Sequence, residues 1–236
     1  MPRDVGVIIV AAGQGTRLGG GGESDLPKQF RTLKGIPILL RAIRPFVSHP
    51  EVDRVVVVVR QEDLASPPGW LADLRGETLQ FVAGGEARSD SVRAGLAALP
   101  ESCRIVLVHD GARPFLDAGV LDAVCAVARQ GVGAVAGIPL TDTVKQVEHQ
   151  DDAVRVVETV PRERLWRAQT PQGFPRAMLE RAYQHAATQE LSGTDDARLV
   201  EEIGEPVVMV PDTPRNIKVT TPDDLAVAEC LAELTP

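Results

Sequence analysis

The sequence predicts an α/β fold in which a mostly parallel β-sheet is covered by helices on both faces. Three observations carry this. Short runs rich in Val and Ile recur along the 236 residues. The stretches between them carry apolar residues at helical spacing. The runs themselves are apolar throughout rather than alternating, as expected of strands buried on both sides. Length agrees with one large core, since a domain takes roughly 150 residues. Apolar residues make up 44% and charged residues 25% of the chain, ordinary globular usage that argues against disordered, collagen-like or disulfide-scaffold chains.

Each element follows from local pattern. Val5 to Val10 is the first strand. The apolar stretch containing it, Val5 to Ala12, is far shorter than the ~20 residues of a membrane span. Asp4 before it and Gly13-Gln14-Gly15-Thr16-Arg17 after it do not fit a secretory leader. A helix led by Pro37 runs to about Val47, and Arg54 to Val59 is the next strand. A strand at Leu79 to Val82, a helix from Ser89 to Leu99 and the strand Ile105 to Val108 follow. The helix Asp117 to Arg129 leads into the strand Val132 to Ile138.

The rhythm then changes. Thr143 to Glu148 and Val154 to Val160 alternate near period two around His149-Gln150-Asp151-Asp152, which reads as a projecting β-hairpin. Helices return at Arg176 to Ala187, Asp195 to Ile203 and Pro222 to Leu234, with short strands at Val207 to Val210 and Asn216 to Val219. Gly19 to Gly22 is the one low-complexity tract and reads as a mobile loop.

Composition excludes several functions. Lys and Arg total 25 against 33 Asp and Glu, a net charge of -8, which is the wrong field for nucleic acid or an anionic membrane. Two Trp, one Tyr and five Phe leave little for base stacking on single strands. Cys103, Cys125 and Cys230 are widely spaced with no ligand pattern, and read as reduced, small core residues of a cytoplasmic protein.

Chemistry concentrates at three strand ends. The first strand enters Ala11-Ala12-Gly13-Gln14-Gly15-Thr16-Arg17-Leu18, where glycines let backbone N–H groups approach a phosphate. Leu18 stands where a dinucleotide fingerprint needs Gly, and no G-K-[ST] follows. Arg17 and the Lys28 of Pro27-Lys28-Gln29 bracket this loop, two cations suited to a triphosphate. A second turn, Gly84-Gly85-Glu86-Ala87-Arg88-Ser89-Asp90-Ser91, also joins a strand to a helix. In Val108-His109-Asp110-Gly111-Ala112-Arg113-Pro114 an acid ends an apolar strand. Ligands of open α/β sheets gather there, so Asp110 suits a Mg²⁺ ion, or another divalent cation, beside phosphates. His109 reads as packing, because Asp110 already takes the ligand role and successive residues face opposite sides of the sheet.

With Thr141-Asp142-Thr143-Val144-Lys145, Leu165-Trp166-Arg167-Ala168-Gln169-Thr170-Pro171-Gln172, Thr194-Asp195-Asp196-Ala197 and Asn216-Ile217-Lys218-Val219-Thr220, these motifs resemble, nearly end to end, the 2-C-methyl-D-erythritol 4-phosphate cytidylyltransferase family of the non-mevalonate isoprenoid pathway. The resemblance implies a Rossmann-like, mostly parallel sheet of nucleotidyltransferase type with a projecting β-hairpin arm. It implies a single domain over 1–236 with the arm at about 140–172. Two departures are visible: Leu18 stands where Met is common, and the Gly19 to Gly22 tract lengthens the Arg17-to-Lys28 interval.

The same resemblance implies transfer of a cytidylyl group from CTP to 2-C-methyl-D-erythritol 4-phosphate with Mg²⁺, releasing pyrophosphate, in a homodimer joined through the arm. Arg17, Lys28 and Lys218 would be catalytic. Ala11, Ala12, Gly13, Gly15, Gly85, Glu86, Ser91 and Asp110 would bind the nucleotide, with Asp110 on the metal. Arg113, Thr143, Arg162, Thr170 and Thr194 would bind the second substrate, Thr143 and Arg162 from the neighbouring subunit. A cytidylyltransferase for ribitol 5-phosphate would carry much the same nucleotide motifs, and a nucleotide-binding regulator would bind CTP without releasing pyrophosphate.

Overall fold

The computed structural model describes residues 2–13, 27–72, 74, 76–150, 153–189 and 195–234. Among these the strands are β1 (Val5–Val10), β2 (Thr32–Leu33), β3 (Ile36–Pro37), β4 (Val52–Val59), β5 (Leu79–Ala83), β6 (Ile105–Asp110), β7 (Gly133–Pro139), β8 (Val144–Gln150), β9 (Ala153–Val160), β10 (Trp166–Pro175) and β11 (Val207–Pro211). The helices are α1 (Ile38–Val47), α2 (Gln61–Ala65), α3 (Gly69–Ala72), α4 (Arg88–Ala98), α5 (Ala118–Arg129), α6 (Arg176–Thr188), α7 (Asp196–Glu202) and α8 (Pro222–Leu234), with a 3-10 turn at Lys28–Phe30.

Seven strands form one sheet in the order β11-β7-β10-β6-β1-β4-β5. All neighbours run parallel except β10, which is antiparallel to β6 and β7. The chain first builds outward from β1 through β4 to β5, then crosses to β6 on the other side of β1. That reversal puts a crevice beyond the carboxyl ends of β1 and β6, where Val10 lies opposite Asp110.

The apolar runs have a direct cause. Val7 and Ile9 of β1 pack with Leu39, Ile43 and Phe46 of α1 and Leu121 and Val124 of α5. Ile8 faces the other way, into Val92 and Leu96 of α4 and the core formed with Leu179 and Ala182 of α6. Successive side chains of one strand thus enter two different cores, and a polar residue on either side would be stranded. A third cluster, with Leu33, Ile38, Phe115 and Val219, anchors α8 through Ala228 and Ala232. Helix starts are fixed locally: Asp117 accepts from the Gly119 N–H at 2.8 Å, and Asp195 from the Arg198 N–H at 3.1 Å.

The hairpin is formed as expected: β8 and β9 pair only with each other, and both faces are largely exposed. Its turn residues Asp151 and Asp152, like the Gly19 to Gly22 tract, lie outside the described residues. Three expectations are corrected. Asn216 to Val219 forms no strand; its backbone is used instead by Arg113 and Gln169, which donate to the Asn216 carbonyl, and by the Ala112 carbonyl, which accepts from the Val219 N–H. Trp166–Pro175 is a strand that the apolar pattern does not reveal, because Gln169, Thr170, Gln172 and two prolines interrupt it. Its pairing with β7 is irregular between Ala168 and Gln172, where the Thr170–Pro171 peptide is cis. Cys103 and Cys125 are buried, but Cys230 is exposed on α8.

His109 of β6 is fully buried, as a packing residue should be. Its ring meets Phe46 edge-on, with centroids 5.0 Å apart. Nε2–H donates to the Arg113 carbonyl at 3.1 Å, which leaves Nδ1 to accept from the Thr170 hydroxyl at 3.0 Å. Burial is the main reason its pKa falls from 6.5 to about 4.

Two expectations about stability follow. A Cβ on Gly95 of α4 would meet Ile8 Cγ2 at 2.5 Å, so Gly95→Val should cost about 1–3 kcal/mol by overpacking, seen as a lower urea midpoint at unchanged slope. For His109, the depressed native pKa means that the unfolded chain binds the proton first as pH falls below 6.5. Its contribution is whole above that pH and is lost progressively down to about 4, amounting to about 2 kcal/mol by pH 5. Urea titrations at pH 7.5 and 5.0 should show this loss, and His109→Gln should remove most of it; an equal pH dependence in both proteins would place its origin elsewhere.

Candidate active site

The crevice beyond β1 and β6 is a cleft of about 260 Å³. One wall is the end of β1, continuing through Ala11, Ala12 and Gly13; the opposite wall is the turn Gly85 to Arg88 with Ser91 of α4. Asp110, Gly111 and Ala112 form its floor, and Lys218 closes one side. The walls are drawn together by small residues. A Cβ on Gly84 would lie 2.6 Å from both Ala12 Cβ and Ser91 Oγ, and one on Gly85 would lie 2.4 Å from Asp90 Cβ, so both positions exclude any side chain at the present approach of loop and strand. Asp90 accepts from the Ala87 N–H at 3.2 Å and fixes the turn into α4. Buried Gln29 donates to the Ala11 carbonyl at 2.9 Å, tying the 3-10 turn that begins at Lys28 to the first wall.

Charge centres on Asp110, which is 7% exposed. Lys218 Nζ lies 2.9 Å and Arg113 Nε 3.4 Å from its Oδ2, while Arg88 Nε lies 3.9 Å from Oδ1. Burial alone would raise its pKa, but Lys218, Arg88 and Arg113 outweigh that and hold it at about 2. The carboxylate is therefore ionised throughout the neutral range. Behind it, Thr170 Oγ1 accepts from the Asp110 N–H at 3.0 Å, and Arg113 Nη1 donates to the Asn216 carbonyl at 2.7 Å. Asn216 Nδ2 donates in turn to the Thr170 carbonyl at 2.8 Å and to Asp212 at 2.6 Å. These bonds fasten the loop that carries Lys218 to β10 and to the Asp110 turn.

Among the expected site residues, Ala11, Ala12, Gly13, Gly85, Glu86, Ser91, Asp110 and Lys218 share the one cleft. Arg113 and Thr170 are buried behind Asp110 rather than lining it. Thr143 and Arg162 are exposed near the base of the hairpin, where Arg162 donates to the Thr141 carbonyl; they do not line this chain's own cleft. Arg17, Gly15 and Thr194 lie outside the described residues. Arg88 and Gln29 line the cleft although sequence reasoning gave them no role. Both sit inside quoted motifs, and the usable signal was a cation or an amide one step from a glycine-rich turn.

Among the described residues no group of three or more His, Cys, Asp or Glu side chains could form a protein cage for a metal. Asp110 presents one carboxylate, whose Oδ1 has, among the described residues, only the long Arg88 contact. That fits Mg²⁺, which keeps waters and binds through one or two carboxylates plus substrate phosphates. No helix among the described residues is long and apolar enough to cross a membrane.

Known proteins match this arrangement along the whole chain. The family model for 2-C-methyl-D-erythritol 4-phosphate cytidylyltransferase matches residues 5–233. The enzyme of that name from Syntrophus aciditrophicus is 40% identical, covering 97% of this chain and 96% of its own. The bifunctional enzyme IspD/IspF of Solidesulfovibrio magneticus is 45% identical over 97% of this chain, which spans 58% of that longer protein. Among solved structures, the 2-C-methyl-D-erythritol 4-phosphate cytidylyltransferase of Thermus thermophilus superposes with a TM-score of 0.79 at 34% identity, covering 98% of this chain and 99% of the other. A match of this extent, on a chain whose glycine turns and Asp110 converge on one cleft, has one reading: the chain belongs to the 2-C-methyl-D-erythritol 4-phosphate cytidylyltransferase family.

Proposed function

We propose that this chain transfers the cytidylyl group of CTP to 2-C-methyl-D-erythritol 4-phosphate, releasing pyrophosphate and forming 4-diphosphocytidyl-2-C-methyl-D-erythritol. The observation that carries this is the cleft in which the Ala11 to Gly13 loop and the Gly85 to Ser91 turn face each other across Asp110 and Lys218. A phosphate oxygen of the polyol phosphate attacks the α-phosphorus of CTP; the new O–P bond forms as the bond to the β-phosphate bridge breaks. The nucleophile is already anionic near neutral pH, so no general base is needed. Neutral, fully buried His109 is accordingly not one.

Catalysis is then positioning and charge stabilisation. Arg17 and Lys28 stabilise the charge that develops on the transferring phosphoryl group. The turn at Gly85, Glu86 and Ser91 holds the base, and Ala11, Ala12, Gly13 and Gly15 lie along ribose and phosphates. Asp110 would hold a divalent cation, Mg²⁺ or another, which when bound neutralises and orients the triphosphate. Lys218 binds the phosphate of the second substrate and must share or leave Asp110 to do so, a movement that suits its half-exposed side chain. Arg113, Thr170 and Thr194 complete that subsite; the buried hydrogen bonds of Arg113 and Thr170 favour a supporting part for these two.

Residues 1–236 act as a single catalytic unit, cytoplasmic in location, with an arm at about 140–172. On the arm Val147, Val154, Val156 and Val157 are 44% to 59% exposed, apolar surface on a two-stranded sheet to which no further strand is added among the described residues. A second copy covering this surface would carry Thr143 and Arg162 to the neighbour's cleft, so that the working form is a homodimer.

Pyrophosphate release from CTP, assayed with methylerythritol phosphate and with ribitol 5-phosphate in parallel, tests the reaction. Turnover with the first alone is expected. Preference for the second moves the chain to another acceptor, and CTP binding without turnover makes it a regulator. Arg17→Ala and Lys28→Ala should each lower kcat by roughly 10²- to 10³-fold; a rise in KM at constant kcat would instead mean uniform binding. The shared site is tested by mixing. Lys28→Ala and Arg162→Ala should each be nearly inactive, yet equal mixing with subunit exchange should restore roughly a quarter of wild-type activity, because half the dimers then hold one intact site. A mixture as inactive as its parents, with exchange demonstrated, assigns Arg162 to its own chain.

A further inference from the structure

Of the three cations on Asp110, Arg88 is the one whose support reaches deepest into the fold. Its Nη2 donates to Asp196 Oδ2 at 2.7 Å. Asp196 is fully buried, and its other oxygen accepts from the hydroxyl of Tyr183 on α6. The N–H groups of Asp196 and Ala197 both donate to Gln172 Oε1, at 3.1 and 3.0 Å. Gln172 sits on β10 opposite Val108, two residues before Asp110. With one donor on each carboxylate oxygen and its backbone tied to Gln172, Asp196 is fixed in orientation and holds the guanidinium at one place in the cleft. The pKa of Tyr183 is raised, mainly by burial with help from Asp196, so its hydroxyl keeps its proton and remains a donor.

The other two cations differ. Arg113 is buried, with Nη1 on the Asn216 carbonyl and Nε on Asp110 Oδ2 at 3.4 Å, so it too stays in place but holds only that oxygen, while Arg88 faces Oδ1. Lys218 is 41% exposed and sits on a segment without regular secondary structure. When Lys218 engages a substrate phosphate, Asp110 keeps its orientation only through the cations that stay. We propose that Arg88 is a positioning residue that acts through Asp110, anchored by Asp196 and Tyr183 so that the carboxylate holds its place when Lys218 moves to the second substrate. This rests on the reaction assigned above. It gives Arg88, Asp196 and Tyr183 a part in turnover although none of the three need touch the reacting atoms.

A double-mutant cycle on the full-length protein separates this role from others. Arg88→Gln is expected to lower kcat about tenfold with KM for CTP changed less than about twofold. In an Asp110→Asn background, read by single turnover at high enzyme concentration, the same substitution should change the residual rate less than about twofold. Asp196→Asn should reproduce the Arg88→Gln loss, and the pair should lose no more than either alone. Should Asp196→Asn fail to fold, Tyr183→Phe takes its place. Arg88→Lys, which keeps the charge, should recover at least half of the lost rate.

Losses that multiply in the Asp110→Asn background would overturn the proposal, as Arg88 would then act on the substrate directly. A raised KM for CTP at unchanged kcat, or a lower melting temperature with unchanged kcat, would overturn it equally, as binding or scaffold alone. A wild-type chain that releases no pyrophosphate overturns the reaction and with it the part of Arg88; turnover with multiplying losses overturns Arg88 alone.

Discussion

A carboxylate held ionised at the end of a buried strand is the constraint on which the rest of this structure depends. Asp110 terminates β6 and is almost wholly withdrawn from water, a placement that costs several kcal/mol per charge unless it is met by partners. Its partners come from three separate stretches of chain, at Arg88, Arg113 and Lys218. Arg113 lies three residues away on the same turn, but Arg88 reaches Asp110 only across the closed sheet, and Lys218 only once the segment after β11 has folded back over β10. Charge compensation here is therefore a tertiary property, and the site exists only as far as the fold does.

The polar groups behind Asp110 follow the same logic. β10 is the one antiparallel strand of the main sheet, and it brings Gln169, Thr170 and Gln172 into the interior. Each meets polar groups of the interior: Thr170 the Asp110 N–H and the His109 ring, Gln169 the Asn216 carbonyl beside Arg113, Gln172 the N–H groups of the first turn of α7. The network is not fully partnered, since Gln169 Oε1 and Asn216 Oδ1 are buried without a hydrogen-bond partner among the described residues, and its stabilising effect is reduced accordingly. It still leaves little choice of conformation, which suits a site that works by position.

What could be read from the sequence divides along the same line. β1, β4 and β6 were legible because each enters two apolar cores and must be apolar throughout. The glycine turns and Asp110 were legible because they sit at strand ends, after β1, β5 and at the close of β6. β10 was not, since its polar residues are explained by partners far off in sequence, and the pattern of a single segment cannot announce them. Asn216 to Val219 failed in the opposite sense: apolar Ile217 and Val219 resemble a strand, but Val219 is committed to the third core and the backbone around it to Arg113, Gln169 and Ala112. Cys230 lies on the outer face of α8, whose Ala228 and Ala232 take the inner one, so its residue type alone did not decide its burial. The motif residues of the arm were recognised, yet nothing within one chain brings Thr143 or Arg162 to its cleft.

The position of the arm has a consequence for how this fold can vary. β7 ends at Pro139 and β10 begins at Trp166, and these two residues are partners in adjacent strands. The excursion therefore leaves the sheet and returns to it at neighbouring points. Nothing in the register of β7, β10 or β6 depends on what lies between, so the length and sequence of the arm are decoupled from the integrity of the nucleotide cleft. The fold in this sense carries a replaceable cartridge, in which the exposed surface of the arm can change while the strands that place Asp110 stay as they are.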